Sequence, residues 1–311
     1  MTTDVIHEDL PYAERDGGPL LASVYRPATS RGPLPALVGV HGGAWRSFDR
    51  TADAYLDRAL AASGMLVVAL DLRMAPAHRW PAGLEDVRAG VRFVRAQAER
   101  LGARRGPIGL IGGSSGGQLA LVAAIAPGSP EATVAYALPL WPIADPFARY
   151  RYVKAQSGTH EASPASEARS EPASDGAQRG RSPSGAPEAA NGVIRFEPER
   201  LARAQEEHFG DEQTMRLASV PRMLDDGEFE QLPPLWVAHP ELHRNVPLAM
   251  TQDWVTKYRA RGGEVELEVF AGLGHSFANF PGPAADRCIE RMRAFIARQL
   301  ARYGVALGAP S

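Results

Sequence analysis

The sequence predicts an α/β fold with a mostly parallel central sheet flanked by helices. Short aliphatic and β-branched runs, bounded by Gly or Pro, alternate with longer segments of helical period, which is typical of crossover units between parallel strands. The 311 residues are 44% hydrophobic and 23% charged, the composition of a globular protein. One segment, residues 155–192, breaks the pattern because it contains no apolar side chain larger than alanine.

Seven strands are predicted from the short apolar runs. They are Leu20–Tyr25, Ala36–Val40, Leu66–Leu70, Ile108–Ile111, Val134–Leu140, Leu235–Ala238 and Val265–Phe270.

Six helices are predicted between and after these strands. They are Thr51–Ser63, Leu84–Leu101, Ser115–Ala126, Leu201–His208, Ala249–Arg261 and Ala284–Tyr303. In the last helix, apolar residues from Cys288 to Leu300 recur three or four positions apart, so one face is expected to be buried and to close the fold.

The low-complexity segment sets the expected domain organisation. Residues 155–192 cannot bury enough apolar area to offset an ordering cost of roughly 1–2 kcal/mol per residue, so they are expected to form a disordered insertion. We expect residues 1–154 and 233–311 to form the α/β core and residues 193–232 to form a small helical cap.

Charge and cysteine content exclude several classes of protein. The net charge of −2 gives no basic surface for nucleic acid. The single cysteine, Cys288, cannot form an intrachain disulfide or a CxxC site, and no run reaches the roughly 20 apolar residues of a membrane span. The expected location is cytoplasmic, without a cofactor or metal, and the oligomeric state is open.

The strongest chemical signal is GGSSGG at residues 112–117, which follows an apolar strand and opens a helical run. A serine hydroxyl is a weak nucleophile, so it must be presented at a sharp strand-to-helix turn that small neighbours permit. Gly112 and Gly116 provide this for Ser114. Ser115, in the frame Gly113-x-Ser115-x-Gly117, remains a second candidate, and a phosphate loop is disfavoured because no Lys follows.

A second signal is HGGAW at residues 41–45, directly after the strand ending at Val40. A glycine-rich turn there can aim backbone N–H groups at a developing oxyanion. His41 itself is expected to be a structural hydrogen-bonding residue.

With two further blocks, the chain resembles the α/β-hydrolase esterases and lipases that include the hormone-sensitive-lipase-like carboxylesterases. These blocks are DLRMAPAHRWPAGLEDV at 71–87 and GHSF at 274–277. The resemblance implies an α/β-hydrolase fold, Ser114 as nucleophile and His275 as general base. It also implies an oxyanion hole formed by the N–H groups of Gly43, Ala44 and Ser115.

The third member of the expected triad departs from the family pattern. In HPELHRNVP at 239–247, related hydrolases commonly carry an aspartate where this chain has His243. An acid there fixes the tautomer of the base, and its amide replacement costs roughly 10⁴ in rate. Four arrangements are open: His243 as a neutral acceptor, Glu241 in its place, Asp145 from a neighbouring loop, or a Ser–His dyad. A metal at His239, Glu241 and His243 is disfavoured because Pro240 opposes a shared helical face.

Several neighbouring residues have expected structural roles. Asp71 and Arg73 resemble the internal ion pair that supports the oxyanion loop in the family. Glu85 and Asp86 begin a helix, where negative charge is favourable. Three tryptophans near strand ends are equally suited to a substrate pocket or to the core: Trp45, Trp80 and Trp141.

The expected function is hydrolysis of carboxylic esters through an acyl-enzyme on Ser114. Only 40 residues precede His41, where hormone-sensitive-lipase relatives usually carry a long cap, so an open pocket for short acyl chains is expected. Two alternatives remain. The same machinery could act as an amidase, arylformamidase or peptidase, or the protein could be a ligand-binding relative without turnover.

Overall fold

The computed structural model describes residues 4–30, 32–157 and 197–307. Its described residues contain one eight-stranded sheet. The strands are β1 (Val5–Arg15), β2 (Gly18–Pro27), β3 (Leu34–Val40), β4 (Leu66–Leu70), β5 (Ala103–Gly113), β6 (Tyr136–Leu140), β7 (Leu235–Pro240) and β8 (Val265–Phe270). Their spatial order is β1-β2-β4-β3-β5-β6-β7-β8.

Ten α-helices connect or flank the strands in the described part of the chain. They are α1 (Ala54–Ala62), α2 (Ala82–Ala96), α3 (Ala98–Leu101), α4 (Ser114–Ile125), α5 (Pro146–Ser157), α6 (Pro198–Phe209), α7 (Glu212–Leu217), α8 (Val220–Asp226), α9 (Leu248–Ala260) and α10 (Pro283–Ala301). None of these described helices is both long and apolar enough to cross a bilayer.

The predicted mostly parallel sheet is confirmed. Strands β3 to β8 pair in parallel, while β1 and β2 form an antiparallel edge that joins the sheet through β4. Because the carboxyl ends of parallel strands meet at one edge, the segments that follow β3, β5, β7 and β8 all emerge on the same side of the molecule.

The core lies on both faces of this sheet. Helices α2, α4 and α9 pack on one face, and α1 and α10 pack on the other. Strand β3 shows the alternation directly, since Val38 belongs to the first core and Leu37 to the second. Cys288 is fully buried on α10, as its helical pattern predicted.

Outside the expected helical segment at residues 193–232, strand β1 and helix α5 were not predicted. Strand β1 is an edge strand that is polar along most of its length and contains Pro11, so it lacks the apolar alternation by which strands are recognised. Helix α5 carries its apolar residues around its whole circumference rather than along one stripe. Neither element therefore shows the hydrophobic periodicity that predicts a strand or a helix.

Helices α6, α7 and α8 form the helical segment expected between residues 193 and 232. Helix α5 continues to Ser157 and so includes the first three residues of the predicted insertion, because Val153 and its neighbours pack against α6. The remainder of the predicted insertion lies outside the described residues.

Candidate active site

Ser114 lies at the turn between β5 and α4. It is the first residue of α4, its backbone has a positive φ of 55°, and its side chain is 8% exposed. A positive φ at a residue other than glycine is the strained geometry of a nucleophile elbow. Ser115 is 1% exposed, and its Oγ has no hydrogen-bond partner in the described structure. The geometry therefore favours Ser114 over Ser115.

The glycines around Ser114 are required by close backbone approach. A Cβ on Gly116 would lie 2.2 Å from the carbonyl oxygen of Val40, and one on Gly112 would lie 2.6 Å from that of Gly116. Both separations are far below van der Waals contact. Helix α4 can therefore start directly beside the end of β3 only because these positions have no side chain.

The HGG segment lies against this turn. A Cβ on Gly42 would be 3.5 Å from the Cβ of Ser114. Gly43 and Ala44 have positive φ angles of 110° and 54°, and in the described structure neither N–H donates a hydrogen bond within the protein. The N–H of Ser115 lies in the first turn of α4, where helices have no internal acceptor. These three donors are thus available near Ser114.

His275 follows β8, and its ring contacts that of His243, which follows β7. His243 Nε2 and His275 Nδ1 are 2.5 Å apart, and the ring centroids are 4.7 Å apart. The structure therefore brings together the two residues that the sequence places at the base and acid positions. Trp141 packs beside His275 with a centroid distance of 6.2 Å.

Val246 offers Nδ1 of His243 both an acceptor and a donor, so each tautomer of His243 has a partner there. Nδ1 of His243 lies 2.7 Å from the carbonyl oxygen of Val246 and 2.9 Å from its N–H nitrogen. When Nδ1–H donates to the carbonyl, Nε2 is free to accept from His275 Nδ1–H, which leaves Nε2 of His275 unprotonated. That tautomer is the one a general base requires.

A third imidazole and a buried cation complete the cluster. His239, fully buried on β7, lies 5.2 Å from His243 between ring centroids, and its Nδ1 is 3.1 Å from Thr251 Oγ1. Burial, aided by Arg149 and His239, lowers the pKa of His275 to about 3. Burial and the neighbouring His275 lower the pKa of His243 to about 2. Both imidazoles are therefore neutral at physiological pH.

The other proposed acids are engaged elsewhere. Glu241 Oε2 accepts a hydrogen bond of 2.8 Å from the N–H of Gly272. Asp145 Oδ1 accepts one of 3.0 Å from the N–H of Ala148, at the start of α5. Neither carboxylate contacts His275, so His243 is the partner that this structure provides.

The expected ion pair between Asp71 and Arg73 is wrong. Asp71 pairs with Arg50 at 3.0 Å, and Arg73 pairs with the buried Asp86 at 2.9 Å. Asp71 and Arg73 are therefore not paired with each other, since each has a different partner. Asp86 was expected to act at a helix terminus, but it anchors both Arg73 and Arg15.

Behind the HGG segment lies a cavity of about 10 Å³, enough for roughly one water molecule. His41 donates from Nδ1 to the Gly42 carbonyl oxygen at 2.7 Å, as its structural role predicted, while its buried Nε2 has no partner in the described structure. Asp57 also lines the cavity with an unpartnered Oδ2. Burial, with the charge of Asp53 adding, raises the pKa of Asp57 well above its usual value.

Trp45, which follows the HGG segment, packs against helix α6. Its indole is stacked on His208 of α6 at 5.3 Å between centroids and 7° between planes, and its Nε1 donates to Gln118 Oε1 at 3.1 Å. Trp45 and Trp141 are buried in the core, whereas Trp80 is partly exposed and packs on Phe209 at 5.8 Å.

Sequence reasoning missed Arg149, Asn245 and the carbonyl of Val246. Arg149 lies on the unpredicted helix α5, is 1% exposed and hydrogen-bonds Asn245 through Nε at 2.9 Å. The sequence gives no local sign of this, because an arginine in a polar helix ordinarily faces solvent. For Asn245 the sequence does give a signal, because it lies two positions from His243 in the same turn.

Comparison with known proteins supports the fold and the resemblance. The BD-FAE family model matches residues 22–136, which include the HGG segment and Ser114 but not His243 or His275. Esterase LipC of Mycobacterium tuberculosis is 38% identical over 101 residues, which are 32% of this chain and 25% of that protein. Carboxylesterase NlhH of the same species is 38% identical over 106 residues, 32% of each chain. The matches thus span between a quarter and a third of these curated relatives.

Solved structures match over nearly the whole chain. A hyperthermophilic esterase from Pyrobaculum calidifontis superposes with a TM-score of 0.69 and 24% identity, covering 94% of this chain and 85% of that one. An esterase structure from Rhizomucor miehei gives a TM-score of 0.73 with 18% identity, covering 97% and 86%. This protein therefore has the α/β-hydrolase fold and resembles the hormone-sensitive-lipase-like carboxylesterases.

Proposed function

We propose that this protein is a serine esterase that hydrolyses carboxylic esters through an acyl-enzyme on Ser114. One observation carries the proposal. Ser114 lies at a sharp turn with a φ of 55°, and the HGG segment lies against this turn at the carboxyl edge of the sheet. The esterase names of the similar proteins support the same activity.

In the proposed mechanism, Ser114 Oγ attacks the ester carbonyl carbon while His275 Nε2 accepts the hydroxyl proton. The N–H groups of Gly43, Ala44 and Ser115 bind the oxyanion. His275 then gives its proton to the leaving alcohol as the C–O bond breaks. Water, deprotonated by His275, attacks the acyl-enzyme, and the carboxylic acid leaves as the proton returns to Ser114.

His243 takes the place of the usual carboxylate in this proposal. Its Nε2 accepts from His275 Nδ1–H, and its Nδ1–H donates to the Val246 carbonyl. A neutral imidazole fixes the tautomer of His275 but stabilises the imidazolium less than a carboxylate would. We therefore expect slower turnover than in hydrolases that keep the acid.

The test is hydrolysis of p-nitrophenyl acetate, butyrate and octanoate by the purified protein, with Ser114→Ala and Ser115→Ala as matched variants. We expect Ser114→Ala to abolish turnover and Ser115→Ala to retain it. Preference for acetate would support the expected short acyl chains. Absence of serine-dependent turnover on every ester would contradict the proposal.

A ligand-binding protein without turnover is the second candidate, and one observation favours it: the imidazole at position 243. It predicts that the p-nitrophenyl esters protect the protein thermally without being hydrolysed.

We also propose a cytoplasmic protein without a nucleic-acid partner, supported by the single buried cysteine and the net charge of −2.

A further inference from the structure

Arg149 is a buried cation whose surroundings in the described structure are neutral. Its side chain is 1% exposed and lies between α6 and the turn that follows β7. Buried arginines are normally paired with carboxylates because desolvation of the guanidinium is costly. No described aspartate or glutamate pairs with Arg149, and burial lowers its pKa to about 9.

The guanidinium instead donates to neutral acceptors on two elements. Nε and Nη2 both donate to Asn245 Oδ1, the former at 2.9 Å. Nη1 donates to Gln205 Oε1 at 2.7 Å and to the Leu201 carbonyl at 3.2 Å, both on α6. Arg149 therefore joins the cap to the turn at Asn245.

That turn is the one that orients His243. Asn245 stands between His243 and Val246, whose carbonyl accepts from His243 Nδ1. A shift of Asn245 would move the backbone of Val246 and with it the hydrogen-bond partners of His243 Nδ1. The positive charge of Arg149 also disfavours protonation of both imidazoles, beside the larger effect of their burial.

The charged and titratable groups around the pair are few. His239 on β7 packs against His243 and is neutral, since burial lowers its pKa to about 4. On α5, Arg149 is the facing cation, while Asp145 bonds the backbone at the helix start. On α6 the facing group is the uncharged Gln205, because Glu206 bonds Tyr150 at 2.5 Å.

We propose that Arg149 is a positioning residue for the His243–His275 pair. It holds the Asn245 turn against α6, and its charge, which no described carboxylate pairs with, adds to burial in opposing protonation of both imidazoles. This inference rests on the proposed function of the site. It implies that the base stays competent in mildly acidic solution, where an ordinary histidine would be charged.

Two variants separate the charge from the hydrogen bonds. Arg149→Lys keeps the charge but loses the fork to Asn245, whereas Arg149→Met loses both. With p-nitrophenyl acetate we expect both variants to lower kcat by roughly tenfold or more while KM changes little, because the histidine pair is misplaced. We expect only Arg149→Met to move the acidic limb of the kcat/KM profile, upward by about one pH unit.

The control is Arg151→Met, on the same helix, where an exposed guanidinium stacks on Phe147 at 5.7 Å. It should leave kcat and the pH profile unchanged. Wild-type behaviour of Arg149→Met would overturn the proposal. So would an equal loss in both Arg149 variants with no difference in their pH profiles, since that result describes a purely structural residue.

A further variant covers the case in which Arg149→Met does not fold. Asn245→Ala retains the charge and removes one acceptor, so kcat should fall while the acidic limb stays in place; an unchanged kcat would overturn the proposal. NMR titration of the imidazole nitrogens of His243 and His275 gives a readout without turnover. If no ester is hydrolysed by the wild type, the proposed function fails, while the titration still tests the effect of Arg149.

Discussion

At the scale of single residues, the distinctive feature of this site is an imidazole where an acid is usual. His243 is long enough to reach His275 at 2.5 Å and has a second nitrogen that bonds Val246. An aspartate would bring negative charge but a shorter side chain. In the mechanism that we propose, the site thus keeps the orienting hydrogen bond and gives up electrostatic stabilisation of the imidazolium.

Replacing His243 by alanine should lower kcat by about 10- to 100-fold, because His275 loses the group that fixes its tautomer. Steady-state hydrolysis of p-nitrophenyl acetate measures this. Glu241→Gln and Asp145→Asn are the matched controls, since both carboxylates bond backbone N–H groups instead. A larger loss in either control than in His243→Ala would show that the acid is supplied from that residue.

Asp57→Asn should raise the free energy of unfolding at pH 8. The folded pKa of Asp57 lies well above the unfolded value, so wild-type stability is fully present below the unfolded pKa and is lost as pH rises through the folded pKa. Asparagine has no proton to lose. Urea unfolding at pH 4 and pH 8 should show the gain only at the higher pH; equal effects at both pH values would contradict a raised pKa of Asp57.

At the scale of elements, the site depends on how closely α4 begins beside β3. The segments that carry Ser114 and Gly42 meet because Gly112 and Gly116 let the two backbones approach. This contact is a property of the strand–turn–helix unit rather than of any catalytic side chain.

Gly116→Ala should destabilise the protein by about 3 kcal/mol or more. The new Cβ would lie 2.2 Å from the carbonyl oxygen of Val40, and this backbone atom cannot move away without distorting strand β3. Gly17→Ala is the matched control because nothing lies within 4 Å of its Cβ. Denaturant midpoints of the two variants provide the comparison, and similar stabilities would argue against the close packing.

Helix α6 contributes a buried histidine whose ring nitrogens have no partner in the described structure. Burial lowers the pKa of His208 to about 3, so stability is lost as pH falls from about 6.5. His208→Phe should keep the stack on Trp45 and gain roughly 2 kcal/mol at pH 5 relative to pH 7.5. Unfolding curves at both pH values, with exposed His78→Phe as control, test this; a gain independent of pH would refute the cause.

At the scale of the whole molecule, the candidate site is assembled from segments far apart in the chain. The elbow and the HGG segment lie in the first half, and His243 and His275 in the second. Between them is the segment that the composition singles out, and its disorder stays a prediction.

Replacing residues 158–196 with a short Gly-Ser linker should preserve activity within roughly threefold. The segment supplies few apolar side chains, and shortening a loop by half changes closure entropy by only about 0.6 kcal/mol. Ester hydrolysis and thermal unfolding of the shortened protein measure this. Loss of the folded state would show that the segment contributes to the core.

The sequence by itself determined the α/β class, the mostly parallel sheet and the turn that carries Ser114. Each depends on local chemistry: aliphatic runs form strands, and glycines at fixed offsets permit a sharp turn. The sequence also placed His243 at the acid position.

Only the tertiary structure decided which side chains meet. It selected His243 rather than Glu241 or Asp145 as the partner of His275, and it paired Asp71 with Arg50 instead of Arg73. Long-range contacts depend on how separate strands are brought to one edge, and spacing along the chain does not specify that. The hydrogen bonds of the buried Arg149 are also not specified by sequence spacing. They form only when α5, α6 and the turn after β7 have packed together.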